Sequence, residues 1–81
     1  MIHTMRKKQV KLDLIGLKCP IPVLKIAKNI KKINVGDILI VNVDDPKAEN
    51  DIEELVQNIK IKILDKVKQT NKLTYKIEKV Y

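Results

Sequence analysis

From Val10 to Leu14 apolar and polar residues alternate as Val-Lys-Leu-Asp-Leu, the period-2 pattern of a strand with one buried face. Gly16 closes this run and permits a backbone turn that other residues resist. The period then changes. Val23, Ile26, Ala27 and Ile30 recur at i, i+3, i+4 and i+7, one face of a helix. Lys25, Lys28, Lys31 and Lys32 fall on the other faces, and the last two also suit the negative C-terminal end of the helix dipole. Asn34-Val35-Gly36-Asp37 reads as a stop and turn. Ile38 to Val43 is a nearly continuous, β-branched apolar run, the mark of a central strand. Strand, helix and strand in such close succession predict a βαβ unit with parallel strands and a right-handed crossover.

Asp44-Asp45-Pro46 follows. An acid before a proline is a good helix start, because the carboxylate accepts free N–H groups and proline tolerates the first helical position. Ile52, Leu55, Val56 and Ile59 then mark a second helix, with Asp51, Glu53 and Glu54 early in it. Asp44 and Asp45 can also be imagined as a metal pair or an acid/base dyad, but capping explains them without further assumptions. From Ile61 the period returns to 2: Ile63–Lys68 reads as a strand, Gln69–Lys72 as a turn, and Leu73, Tyr75 and Ile77 as one face of a last strand. The order β-α-β-α-β-β predicts an α+β, two-layer sandwich, a four-stranded mixed sheet with both helices on one face. Residues 1–9 read as a basic, flexible lead-in and 10–81 as a single domain. Tyr75 and Tyr81 are expected as packing or edge residues.

Composition narrows the chemistry. The 81 residues carry a formal charge of +7, which invites a nucleic-acid reading. Yet sixteen Lys stand against one Arg, with thirteen Ile and no Phe or Trp. The residue that reads phosphates and guanines bidentately is nearly absent, as are rings on which bases stack. Direct nucleic-acid binding is therefore not expected, and the lysines are accounted for by solvated faces or compositional bias. One cysteine cannot form an internal disulfide, and one Cys with one His is no metal cage. Met1–Gln9 lacks the apolar run of a signal peptide, and no stretch is long and apolar enough to span a membrane. The expectation is a cytoplasmic protein, with no membrane association, no bound cofactor and no metal; a monomer suffices.

The remaining chemistry lies in Cys19. A lone cysteine is often a small buried hydrophobe, but its neighbours point elsewhere. Pro20 and Pro22 both suit a first helical turn, where no N–H is needed. They place Cys19 at or near the N-cap, with Gly16 and Lys18 shaping the approach. The dipole and Lys18 favour a thiolate there. The pull is modest: from a free thiol near 8.5, it lifts the thiolate fraction at neutral pH from a few per cent to about a tenth. The only His, His3, lies in the lead-in, so a Cys/His nucleophile pair is not formed, and no second Cys can resolve a disulfide. A single thiol of this kind can accept a group, hold it and pass it on.

These residues resemble a known family. Leu14, Gly16, Leu17, Lys18, Cys19, Pro20, Ile21, Pro22 and Val23 are similar to the Cys-Pro-x-Pro signature of the TusA/SirA/YedF-type sulfur-carrier proteins. Gly36-Asp37, the apolar strand, Asp44-Asp45-Pro46 and Asp51-Ile52 follow in the family's order and spacing. The resemblance runs from about Val10 to Tyr81 and implies a βαβαββ sandwich. It implies further that Cys19 carries sulfane sulfur as a persulfide, a sulfurtransferase-type relay in which partners supply most of the chemistry. The implied donor is a pyridoxal-phosphate-dependent cysteine desulfurase or another persulfide source, and the implied receiver is a sulfur-acceptor protein, in some members on the way to tRNA thiolation. Pro20 and Pro22 then shape the thiol's presentation, and Asp45 and Asp51 are the family-like acids, expected as structural caps. Asn58-Ile59-Lys60 departs from the Gly or His found there in many members, which bears on one partner surface and leaves the thiol site unchanged. The competing reading is a regulatory or nucleic-acid-binding module that uses its lysine-rich faces and has no thiol chemistry.

Overall fold

The computed structural model describes residues 8–80. The elements run β1 (Gln9–Asp13), α1 (Ile21–Ile30), β2 (Ile38–Val43), α2 (Pro46–Asn58), β3 (Ile61–Lys68) and β4 (Leu73–Lys79). Of the expected lead-in over 1–9, residues 1–7, with His3, lie outside the described residues, as does Tyr81. Gln9 already belongs to β1, paired with Ile38, and the Lys8 N–H donates to Asp37 Oδ1 at 3.3 Å. The first strand therefore begins one residue earlier than the alternation suggests.

The sheet order is β1-β2-β4-β3. β1 and β2 are parallel, as a βαβ crossover requires, and β4 lies antiparallel to both β2 and β3. Placing β4 in the middle follows from its side chains. Leu73, Tyr75 and Ile77 are all buried, opposite Val43, Val41 and Leu39 of β2. β3 is left at the edge, where its charges are tolerated and a bulge at Leu64, between the pairs Ile63–Ile77 and Asp65–Lys76, twists it further.

Both helices cover the same face. Pro22, Ile26 and Ile30 of α1 and Ala48 and Ile52 of α2 are buried, and all but Pro22 join the inner faces of β2 and β4 in one core with Leu14 and Ile61. After the bulge, Lys66 turns toward α2, where its ammonium meets Glu49 and Glu53 at 2.5 and 2.6 Å. The Tyr75 hydroxyl donates to the same Glu53 carboxylate at 3.2 Å. Tyr75 is thus a core residue with one polar tie, and burial pushes its hydroxyl up to about 12. Among the described residues no helix is long and apolar enough to cross a membrane.

Candidate functional site

Because β1 and β2 are parallel neighbours, their C-terminal ends lie side by side, and each feeds a helix. The segment Leu14–Pro20 therefore runs beside Asp44-Asp45-Pro46. The Leu14 N–H donates to the Asn42 carbonyl at 2.8 Å, extending the ladder by one residue, and a turn from Leu14 to Leu17 closes at 3.2 Å. Gly16 sits in that turn at φ +87°, the left-handed region that favours glycine. Its N–H donates to Asp44 Oδ1 at 2.9 Å.

The next acid does more. Asp45 is the N-cap of α2: Oδ1 accepts the Lys47 N–H at 3.1 Å, and Oδ2 accepts the Cys19 N–H at 2.7 Å. One carboxylate thus starts a helix and fixes the backbone of the cysteine 26 residues earlier. These two N–H groups, Cys19's first, hold the Asp45 carboxyl below the usual carboxylate range. Lys18, whose charge was expected to favour the thiolate, adds its charge at Asp45 instead.

The helix start differs by one residue from the expectation. Pro20, not Cys19, occupies the N-cap of α1, with Pro22 in the first turn. Pro20's carbonyl accepts the first helical N–H, from Leu24, at 3.1 Å. Cys19 precedes the cap, follows a chain held from two sides, and is joined to Pro20 by a cis peptide.

The thiol's partner corrects two expectations. Asp51 does not cap: it lies in the second turn of α2, and its Oδ2 accepts a hydrogen bond from Cys19 Sγ. A carboxylate that accepts from S–H favours the neutral thiol. That bond, followed by burial and the negative charges of Asp51 and Asp45, raises the Cys19 pKa, against a smaller opposing pull from Lys47. The helix-end argument for a thiolate is therefore overturned. A carboxylate that accepts directly from the thiol outweighs a dipole whose influence fades within the first turn.

Cys19 lines a shallow cleft of about 300 Å³ between the helices, with Pro20 and Val23 on its own side and Asp51, Glu54, Leu55 and Asn58 of α2 on the other. Beside it Ile21 and Leu24 are well exposed. A larger cleft, about 450 Å³, lies between the start of α2 and the β3–β4 turn, but it contains no thiol. Of the cleft-lining residues, Leu55 carries no signal in the sequence beyond helical spacing, whereas Asn58, one of the departures from the family pattern, lines the same cleft as Cys19, so that departure reaches the thiol site after all. Among the described residues no cluster of three or more His, Cys, Asp or Glu is placed to hold a metal ion.

Comparison with known proteins bears on the fold and the family. A protein of Archaeoglobus fulgidus named "Putative sulfur carrier protein" is 46% identical over 52 residues, which are 64% of this chain and 65% of that relative. The match thus spans just under two thirds of the relative's length. The crystal structure of the SirA-like protein from Desulfitobacterium hafniense superposes with a TM-score of 0.68 at 20% identity, over 89% of this chain and 99% of that one. The likeness shows the same fold. The model of the family described as Sulfurtransferase TusA matches residues 10–79, from the first strand to the last. The chain belongs to that family.

Proposed function

We propose that this protein is a sulfur carrier whose Cys19 accepts sulfane sulfur as a persulfide and relays it to an acceptor protein. The observation that carries this reading is a single thiol, fixed at its backbone by Asp45 and lining an open cleft with no neighbouring His or second Cys among the described residues. Such a site can hold a sulfur atom but has no group to complete a reaction alone. In loading, Cys19 sulfur attacks the outer sulfur of a donor persulfide. A new S–S bond forms on Cys19, the donor's S–S bond breaks, and the donor leaves as a thiol that takes up the proton Cys19 gave up. Unloading repeats the exchange, with an acceptor thiolate attacking the outer sulfur and Cys19 leaving. The sulfane sulfur keeps its oxidation state throughout, so no oxidant or reductant is required. The family's desulfurase donors fit this scheme, and tRNA thiolation is one destination consistent with it.

The test is mass spectrometry after incubation with a cysteine desulfurase and cysteine. The native protein should gain the mass of one sulfur atom, lost again on reduction, and Cys19→Ser should gain nothing. No adduct on the native protein with several desulfurases would overturn the reading.

A further inference from the structure

We infer that Asp51 is a positioning residue for this reaction: its carboxylate holds resting Cys19 as a protonated thiol turned into the cleft between α1 and α2, so the carrier's sulfur is quiet until that hydrogen bond is released. The inference deepens the carrier reading, since it concerns the resting state of the same thiol.

The geometry is specific. Asp51 is the side chain that receives the Sγ–H bond, and it reaches Cys19 across the helix–helix cleft from a sequence position 32 residues away. It forms one wall of that cleft with Glu54 and Leu55. Among the described residues no lysine lies within ion-pairing distance of it, the ion pairs of α2 being made by Glu49 and Glu53. Its acceptor capacity is therefore directed at the thiol.

A carboxylate is a far weaker base than a thiolate, so in the pair the proton stays on sulfur, and Asp51 is a guard more than a general base. The acids around the sulfur act in the same sense and one lysine opposes them. Asp51 and Glu54 face the cleft from α2 and Asp45 accepts the Cys19 N–H, while Lys47 is the opposing charge and Lys18 acts on Asp45 through its charge. The thiolate is the nucleophile, so a carrier that keeps its thiol protonated loses less of it to oxidants and electrophiles between partners. Loading then requires the donor to take up Asp51's acceptor bond, or to exclude it, as it presents its persulfide. The proton released from Cys19 leaves with the donor's thiol, as in the exchange above.

The test is the rate of iodoacetamide alkylation of folded protein across pH, read by mass spectrometry, with the thiolate's ultraviolet absorbance as a second measure. Asp51→Asn keeps the shape, removes the charge and can donate to a thiolate. It should move the midpoint to lower pH and make alkylation at neutral pH several-fold faster. Asp51→Glu, which restores a carboxylate, should return the profile toward the native one. Glu54→Gln removes a charge from the same cleft without a bond to sulfur and should move the midpoint less than Asp51→Asn. An unmoved or upward-shifted profile in Asp51→Asn overturns the inference, as does a Glu54→Gln shift equal to it, which would leave only diffuse charge. The readout does not depend on sulfur transfer. A shifted profile in a protein that never loads would overturn the carrier reading and leave Asp51's role standing, whereas an unmoved profile in a protein that loads would overturn Asp51's role alone.

Discussion

Asp45 serves two elements with one side chain, and the division of labour between its oxygens determines what each substitution should do. Oδ1 caps α2 through Lys47 and Oδ2 fixes the Cys19 amide. Asn keeps one acceptor oxygen but would turn an NH₂ toward one of the two donors; Ala keeps neither acceptor. Asp45→Ala should therefore lower Tm by several degrees, the usual consequence of a lost cap in a domain of this size, and Asp45→Asn by less. The sign of the pH dependence follows from the depressed carboxyl. A group whose folded pKa lies below its unfolded one contributes fully above the unfolded value, and that contribution is lost as pH falls through the folded one. The deficit of Asp45→Asn should accordingly be largest near neutrality and shrink below about pH 4. Thermal melts from neutral to acid pH check both points, and a deficit that grows in acid would contradict the argument.

The elements were largely legible in the sequence because each has a clean period. The spacing of Ile26 and Ile30, the run Ile38–Val43 and the alternation Leu73-Tyr75-Ile77 all name the faces that the core uses. What could not be read was which elements meet. Nothing local says that β4, last in the chain, takes the middle of the sheet, or that Leu64 is bulged out so that Lys66 faces Glu49 and Glu53. The same holds at the site. Cys19, the prolines and the acids were visible as types, but the bond between Cys19 and Asp51 joins the segment before α1 to the second turn of α2, and only the packing of the two creates it. Local reasoning could weigh a dipole but not a carboxylate arriving from elsewhere, and so it gave the thiol's modest shift the opposite direction. The α1–sheet seam that sets this distance depends on Ile26, fully buried. Ile26→Ala should cost about 2–5 kcal/mol through lost burial and a residual cavity, seen as a lower midpoint in urea. A cost well under that range would mean α1 contributes little to the core that positions Cys19.

At the scale of the whole molecule, the question is whether a charge of +7 describes a surface built for nucleic acid. The fold distributes that charge rather than gathering it. Lys25 and Lys28 sit on α1, on the helix side, while Lys11, Lys62 and Lys76 alternate into the opposite, open face of the sheet. There the register sets Lys76 beside Asp65 and Lys62 beside Glu78, with Asp13 on the same face. The face is of mixed sign and, among the described residues, offers no ring for stacking, since Tyr75 points into the core. Binding to single-stranded RNA should then be a matter of counterion release alone: measurable at low salt, with log affinity falling linearly against log salt at about −0.7 per phosphate neutralised, and gone at physiological salt. Cys19→Ser should bind as the native protein does, because the thiol lies in the cleft between the helices and takes no part. Fluorescence anisotropy with a labelled oligonucleotide across a salt series reads all of this. Affinity that persisted at physiological salt would require a site that this charge distribution does not provide, and would restore the regulatory module as the better account of the lysines.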